Sequence, residues 1–371
     1  MPPIIAAPDD ITPAKLTAIL RDSGTLPQGA VVAVTQLPND AFNSTIAHLT
    51  LAYSHDAPPD APTRLLLKRN LDAAWAIRAN AAEVAFYRLV APLADRLPMI
   101  LHPHAAAHDP ASGKSHLLLP DLSATHAAPV ERARVLALEG VPSAAHLDAI
   151  ADALAAFHAY WWEHPALSQP PLPPSGEYGD RVAYDRFLAA TAADWSTFSA
   201  AEGGGFPVEL RDIYEHALPR LPALWDRYLA PRVPERRNVT LAHGDCYFAA
   251  FLCPHDPRDQ TYFIDWQGPR VDFAALDLNF LFANFWTAAQ RREGDRELRL
   301  LRRYHGTLLA HGVKNYGWDD LLTDYRLMLI FRIFLPVWDM ANGSRRAYWW
   351  PKLTCLTDAY RDWRCAELLD E

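Results

Sequence analysis

Residues 241–267 read LAHGDCYFAAFLCPHDPRDQTYFIDWQ, and this stretch decides the fold. Asp245 closes the tripeptide His243-Gly244-Asp245 after an apolar run. An apolar segment from Tyr247 to Cys253 follows, then a polar loop with Pro254, Pro257 and Asp259, then a strand-like run from Thr261 to Ile264 that ends at Asp265. The pattern predicts a β-hairpin that carries Asp265 back toward Asp245. Two carboxylates at strand ends, with no Cys or His ligand set beside them, suit a hard oxygen-binding cation such as Mg²⁺ and the phosphates it carries. One can hold metal while the other orients or deprotonates a hydroxyl, a division of labour that belongs to phosphoryl transfer. An ordinary hairpin with polar ends explains either tripeptide alone; the two together favour the chemistry.

At these residues the chain resembles the aminoglycoside phosphotransferase, choline kinase and ecdysteroid kinase-like families, most closely the last. The resemblance spans about residues 28–350. It implies an α+β, protein-kinase-like fold of two lobes: a small N-terminal lobe of antiparallel β-sheet plus helix, residues 1–119, that covers the nucleotide, and a larger, mainly α-helical C-terminal lobe, residues 120–371, with the catalytic loop, metal site and acceptor-binding helices. It implies ATP and Mg²⁺ as cofactors and a small-molecule alcohol, antibiotic-, choline- or steroid-like, as phosphoryl acceptor. Asp245 is then the catalytic base or hydroxyl-orienting residue, and Asp265 the Mg²⁺ ligand. One departure stands out. The family pattern is HGD, four residues, then an Asn that supports a second metal, and at that position this chain has Ala250. A methyl group cannot coordinate Mg²⁺, so the alternative is a pseudokinase-like module that binds nucleotide or a small ligand with impaired chemistry.

Composition is consistent with either reading. The chain has 371 residues, 50% hydrophobic and 21% charged, enough to fill the cores of two lobes. A net charge of -9 argues against a general nucleic-acid or acidic-membrane surface. Four cysteines, at 246, 253, 355 and 365, show neither a disulfide framework nor a zinc spacing, which fits a reducing, cytoplasmic setting. The first residues lack the pattern of a secretory signal, and no run is apolar and long enough to span a bilayer, so a soluble protein is expected. A Ser or Cys hydrolase has little support: no GxSxG elbow occurs, and Cys246 has no identifiable histidine base.

Along the chain, Thr12 and Pro13 open a helix with Leu16, Ile19 and Leu20 on one face. Residues 30–36 and 45–54 read as a hairpin joined by a long loop over residues 37–44. In the resembled families this loop covers the phosphates, and Asn43 and Ser44 are the matching donors. Residues 63–68, TRLLLK, form a strand ending in Lys68, and a helix through residues 74–89 follows. A lysine at a strand end commonly snorkels to water; here Glu83 on the helix is its expected partner. That pair resembles the families' strand lysine, which contacts the α- and β-phosphates, and its helical glutamate. Asp121, after Leu119 and Pro120, lies where the resemblance puts the interlobe hinge and the adenine. His102, His104, His108 and His116 are irregularly spaced and read as solvated.

Residues 146–162 are a core helix, in which His158 receives no role. Asp272 reads as a helix cap, and Asp277 matches an aspartate that buttresses the families' catalytic loop. The aromatic-rich helices after residue 291 read mostly as core, with some aromatic faces walling the acceptor site and Asp324 and Asp339 adding charge.

Overall fold

The computed structural model describes residues 3–40, 44–169 and 176–371. The first helix, α1 (Pro13–Asp22), begins as the sequence predicts: Thr12 caps it by accepting the Lys15 N–H at 3.3 Å, with proline at the first helical position. Strands β1 (Val31–Asp40), β2 (Ser44–Tyr53) and β3 (Arg64–Asn70) precede helix α2 (Ala74–Val90), after which come β4 (Ala105–Asp109), β5 (Lys114–Pro120) and the short β6 (His126–Ala127). Five of these strands form an antiparallel sheet in the order β1-β2-β3-β5-β4. Leu16, Ile19 and Leu20 of α1 share a buried core with Leu49, Leu51, Leu65, Leu67 and Leu118 of the sheet.

The long loop expected over residues 37–44 is largely strand. Leu37 to Asp40 pair in register with His48 to Thr45. Polar and proline residues obscured this from the sequence, but β1 is an edge strand, the place in a sheet where proline is tolerated. Asn43 lies outside the described residues.

Helices α3 (Arg132–Leu136), α4 (Ala144–Trp161), α5 (Arg181–Glu202), α6 (Val208–Ala217) and α7 (Leu221–Leu224) lead to strand β7 (Thr240–Ala242). The decisive stretch then continues through β8 (Phe251–Pro254) and β9 (Tyr262–Phe263), and β10 (Arg270–Asp272) follows. The remaining helices are α8 (Ala275–Phe282), α9 (Ala288–Arg292), α10 (Arg296–Ala310), α11 (Trp318–Arg332), α12 (Leu335–Ala341), α13 (Arg346–Asp362) and α14 (Cys365–Asp370). The fold is thus α+β, with an antiparallel sheet in the N-terminal part and helices dominating the C-terminal part.

The expected hairpin exists as β8 and β9, which are neighbours in a sheet with β6, but it is shorter than the apolar run suggests. Phe248–Ala250 form a 3-10 turn instead of strand. Asp245 therefore lies before that turn, and its own neighbour strand is β7, which pairs with β10. Asp272 is a residue of β10 and not a helix cap; its carboxylate accepts from the Phe273 N–H and the Arg270 Nε.

The chain divides into two compact units. One comprises residues 1–127 and 252–269, the other residues 128–251 and 270–371. Asp265 belongs to the first unit and Asp245 to the second.

Candidate active site

In the first unit Lys68 lies inside the sheet, paired with Ile46 of β2 and Leu117 of β5. Its Nζ is 2.7 Å from a carboxylate oxygen of Glu83 on α2 and 2.6 Å from Oδ1 of Asp265. The Lys68 and Glu83 side chains are 8% and 1% exposed, whereas Asp265 is 33% exposed, so the ion cluster opens to solvent only at its Asp265 end. Burial works against the Lys68 charge, but the two carboxylates outweigh it and hold the ammonium well above its ordinary range. A lysine this deeply buried is not snorkelling.

Asp265 sits in the left-handed region at φ 66°. For a residue with a Cβ this conformation costs about 1–3 kcal/mol and persists only where neighbours enforce it. The neighbour is Trp266, fully buried and stacked on Phe86 of α2 at 3.9 Å between ring centroids and 12° between planes. Phe86 and Glu83 are three residues apart and so share a face of α2. One helix face therefore fixes both ends of the cluster.

Ser44 is buried at the start of β2, opposite Asn70. The Asp121 carboxylate accepts from His48 Nδ1 and Arg64 Nη2, each at 3.1 Å, and from the Ser123 N–H at 3.0 Å. Partial burial pushes its acidity one way, but the Ser123, His48 and Arg64 bonds prevail and bring its pKa down to about 2. Of the four histidines expected to be solvated, His116 is buried, with Nδ1 accepting the Ile5 N–H at 3.2 Å.

The second unit holds Asp245 by a different device. Gly244 takes φ 83°, a left-handed turn that glycine adopts without strain. The turn aims two successive backbone N–H groups at one buried carboxylate: His243 donates to Asp277 Oδ2 at 2.6 Å and Gly244 to Oδ1 at 2.9 Å. Asp277 is in turn bonded to His158 Nε2 at 3.2 Å, while His158 Nδ1 meets the Tyr304 hydroxyl at 2.7 Å. Burial disfavours the Asp277 charge, yet His158, His243 and the Gly244 N–H together hold the carboxyl below its usual range. Asp245 itself is exposed at the tip of this anchored loop. Adjacent Cys246 is buried, and burial with the nearby Asp277 and Asp245 charges pushes its thiol well up, which removes it as a nucleophile.

His158 is the residue that sequence reading missed. A signal was present: Leu147, Ala151, Leu154, His158 and Trp161 alternate steps of four and three along α4 and are all buried. An imidazole on such a stripe requires a polar partner, and Asp277 supplies it.

Beside Gly244, the second unit contains a cavity of about 710 Å³ lined by Tyr178, Phe187, Phe280, Phe331, Phe334 and Trp338, among others. Of these, Phe331, Phe334 and Trp338 come from the late aromatic-rich helices. Asp324 and Asp339 do not line it: Asp324 is buried against Arg232 at 2.6 Å and the Tyr316 hydroxyl at 2.9 Å, and Asp339 against Lys352 at 2.9 Å. The cavity's charged wall comes instead from Glu177, Arg186, Asp194, Arg270 and Arg332, which are scattered over the chain and carry no sequence motif.

Residues 180–315 match the model of the ecdysteroid kinase-like family. The match contains the whole stretch from His243 to Gln267 on which the resemblance rests. Among solved structures, the chain is similar to a candidate aminoglycoside phosphotransferase of Ralstonia eutropha JMP134, with a TM-score of 0.58, 13% identity, and 95% of this chain and 97% of that one covered. It is similar to a choline kinase of Cryptosporidium parvum Iowa II, with a TM-score of 0.53, 10% identity, and 91% and 90% covered. An ethanolamine kinase of Plasmodium vivax follows at a TM-score of 0.51, 12% identity, and 89% and 83% covered. No curated protein sequence matches. At these identities the likeness establishes the fold, which is kinase-like.

Among the described residues no group of three or more His, Cys, Asp or Glu side chains is arranged to hold a metal ion, and no helix is long and apolar enough to cross a membrane. The donor set nonetheless fits Mg²⁺ carried by a nucleotide. Such Mg²⁺ is commonly held by one or two carboxylates, the remaining ligands being phosphate and water, and Asp265 is a carboxylate at the solvent-facing end of an ion cluster in which two carboxylates outnumber the single Lys68 ammonium.

Proposed function

We propose that this chain is an ATP- and Mg²⁺-dependent phosphotransferase acting on a hydroxyl of a small molecule. Residues 1–119 cover the nucleotide, and residues 120–371 carry the catalytic loop, the metal ligand and the acceptor-binding helices. Lys68 grips the phosphates, with Glu83 holding its ammonium in place, and Ser44 and Asn43 donate to phosphate oxygens. Asp121 marks the adenine end. Asp265 would hold Mg²⁺, which would supply neutralisation of phosphate charge and alignment of the transferring group. Asp245 orients the acceptor hydroxyl and accepts its proton late in transfer, as the new O–P bond forms and the bond between the γ-phosphorus and the ADP oxygen breaks.

The observation that supports this most is the Lys68–Glu83–Asp265 cluster, a buried cation held by two carboxylates of which one faces solvent. The test is Asp245→Ala, assayed for ATP consumption over a panel of alcohols. Turnover should drop by about 10²–10⁴-fold, the range for a positioned acid or base, with the melting temperature little changed because Asp245 is exposed. Full turnover in this variant would falsify the assignment.

Ala250 favours a second reading, a binding module with impaired chemistry. Its methyl group is 2% exposed and its N–H closes the 3-10 turn by donating to the Tyr247 carbonyl at 2.8 Å. Ala250→Asn separates the readings. A large gain in turnover marks a kinase weakened at this position, whereas tight nucleotide binding without turnover in both proteins favours the module. The larger side chain should cost about 1–3 kcal/mol at so buried a site, so a urea unfolding curve accompanies the assay.

A further inference from the structure

The cavity beside Gly244 has an apolar body and one anomalous polar group. Tyr178 stacks on Phe331 at 4.6 Å and 20°, and Phe187 meets Phe331 edge-on at 5.7 Å and 83°. These contacts fix the aromatic walls before any ligand arrives. Arg332, the last residue of α11, closes the wall with its side chain more than nine-tenths buried, and its guanidinium lies 3.7 Å over the Phe280 ring. Neither Nε nor Nη2 of Arg332 has a hydrogen-bond partner among the described residues. A buried charged donor left unbonded is costly, and native structures retain one chiefly where something else completes it.

The other charges around the cavity do not fill that role. Arg270 is occupied by Asp272 at 3.2 Å. Glu177 is exposed, Arg186 is exposed, and Asp194 is partly buried, which raises its carboxyl above the ordinary range. Burial lowers the Arg332 pKa to about 10, with Arg270 repelling it and Tyr178, Glu177 and Asp245 partly offsetting that, so it remains a cation at neutral pH. A positively charged ligand group placed here would leave Arg332 unbonded and add a like charge beside it. An sp² oxygen satisfies the free N–H groups, and an anionic one does so best, because a guanidinium fork matches a carboxylate.

We propose that the cavity takes an amphipathic hydroxy compound with an apolar skeleton, which lies against Phe187, Phe331 and Trp338, and an oxygen acceptor group, carboxylate in preference to carbonyl, which binds Arg332. This names the acceptor class of the phosphotransfer reading and rests on that reading only for the claim that the bound compound is phosphorylated. A volume of about 710 Å³ is sufficient for a skeleton of several fused rings. An amino-sugar or a quaternary ammonium alcohol is disfavoured by the same wall.

The test uses the full chain and three hydroxylated carboxylates of increasing size, 4-hydroxyphenylacetate, 12-hydroxydodecanoate and cholate. Each is compared with its methyl ester and with the amine that replaces the carboxylate. Dissociation constants come from calorimetry and ATP consumption from a coupled assay. For at least one skeleton, affinity should follow carboxylate, then ester, then amine, with about tenfold or more between the first and last, corresponding to one charged hydrogen bond gained. Arg332→Met, which keeps the bulk of the side chain, should abolish that order, and Arg332→Lys should restore part of it. Trp338→Ala, at a half-exposed rim position, should weaken all three members of a series alike while preserving their order.

Equal or tighter binding of the amines by the unaltered protein overturns the inference, and so does an Arg332→Met variant that keeps the preference. An Arg332→Met variant with unchanged ligand affinities but uniformly slower turnover also overturns it, by assigning Arg332 to the transfer step. The predicted order of affinities without ATP consumption for any compound leaves the ligand class standing and defeats the phosphotransfer reading.

Discussion

The two units hold their candidate catalytic groups in opposite ways. In the first, Lys68, Glu83 and Asp265 are joined side chain to side chain by full charges. In the second, a buried carboxylate, Asp277, grips the backbone of the two residues before Asp245 and is itself gripped by His158. An ion pair with a partly exposed member such as Asp265 can exchange partners at lower cost than one buried at both ends. A loop tied through its own N–H groups to a 0%-exposed carboxylate has no such alternative. The first arrangement suits a group that must receive ligands, and the second suits one that must present an oxygen at a fixed position.

The largest way to break this comparison is Lys68→Met. Glu83 would then be a buried carboxylate without a cation, and the first unit should lose about 3–5 kcal/mol in urea unfolding. Adding Glu83→Gln to Lys68→Met should recover much of that loss without restoring nucleotide binding. If Lys68→Met unfolds at the unaltered midpoint, the charge cluster is not what holds this part together.

Asp277→Asn is the corresponding change in the second unit. The side chain keeps its shape, but one of the two acceptor oxygens becomes a donor facing a backbone N–H, which should cost about 1–3 kcal/mol. Because the loop moves with it, turnover should drop more than nucleotide affinity, as read from kcat against KM for ATP. An equal loss in both would mean that Asp277 supports the fold generally and not the position of Asp245.

Acidification sharpens the contrast more gently, since the two units should respond with opposite sign. His116 in the first unit is pulled by burial, and to a lesser degree by Lys15 and Arg88, from 6.5 to about 4. Its folded form resists protonation, so the stability it contributes is present above pH 6.5 and is lost as the pH falls toward 4. Asp272 in the second unit is raised by burial, against the pull of Arg270, from 3.8 to about 6. Its stabilising contribution is present below pH 3.8 and is lost as the pH rises through 6. Going from pH 6.5 to 5 should therefore weaken β5 and strengthen β10, each by about 1–2 kcal/mol. Hydrogen–deuterium exchange of peptides spanning residues 114–120 and 270–272, corrected for intrinsic rates, reads both at once. Movement of both peptides in one direction would show that other groups dominate.

The legibility of these features followed their locality. The Thr12 cap, the strand carrying Lys68 and the helix carrying Glu83 were readable because each depends on neighbours within a few residues. The Lys68–Glu83 pairing was readable because only fifteen positions separate the two. The third member, Asp265, lies 197 positions from Lys68, and nothing in either segment announces the bond. The 3-10 turn at Phe248–Ala250 hid inside a run that is apolar throughout, since burial on all sides erases the period by which strand and turn differ.

The sequence by itself determined the local elements, the order of the chemistry-bearing residues and the likeness carried by HGD and IDWQ, because these are properties of short windows and their spacing. Only the tertiary structure decided that His158 supports Asp277, that Asp324 and Asp339 are neutralised away from the cavity, and that two nitrogens of Arg332, which lines it, have no hydrogen-bond partner among the described residues. Those outcomes depend on which distant side chains share a buried volume. Charge satisfaction in a low-dielectric interior is settled by packing in three dimensions, and no pattern along one dimension encodes it.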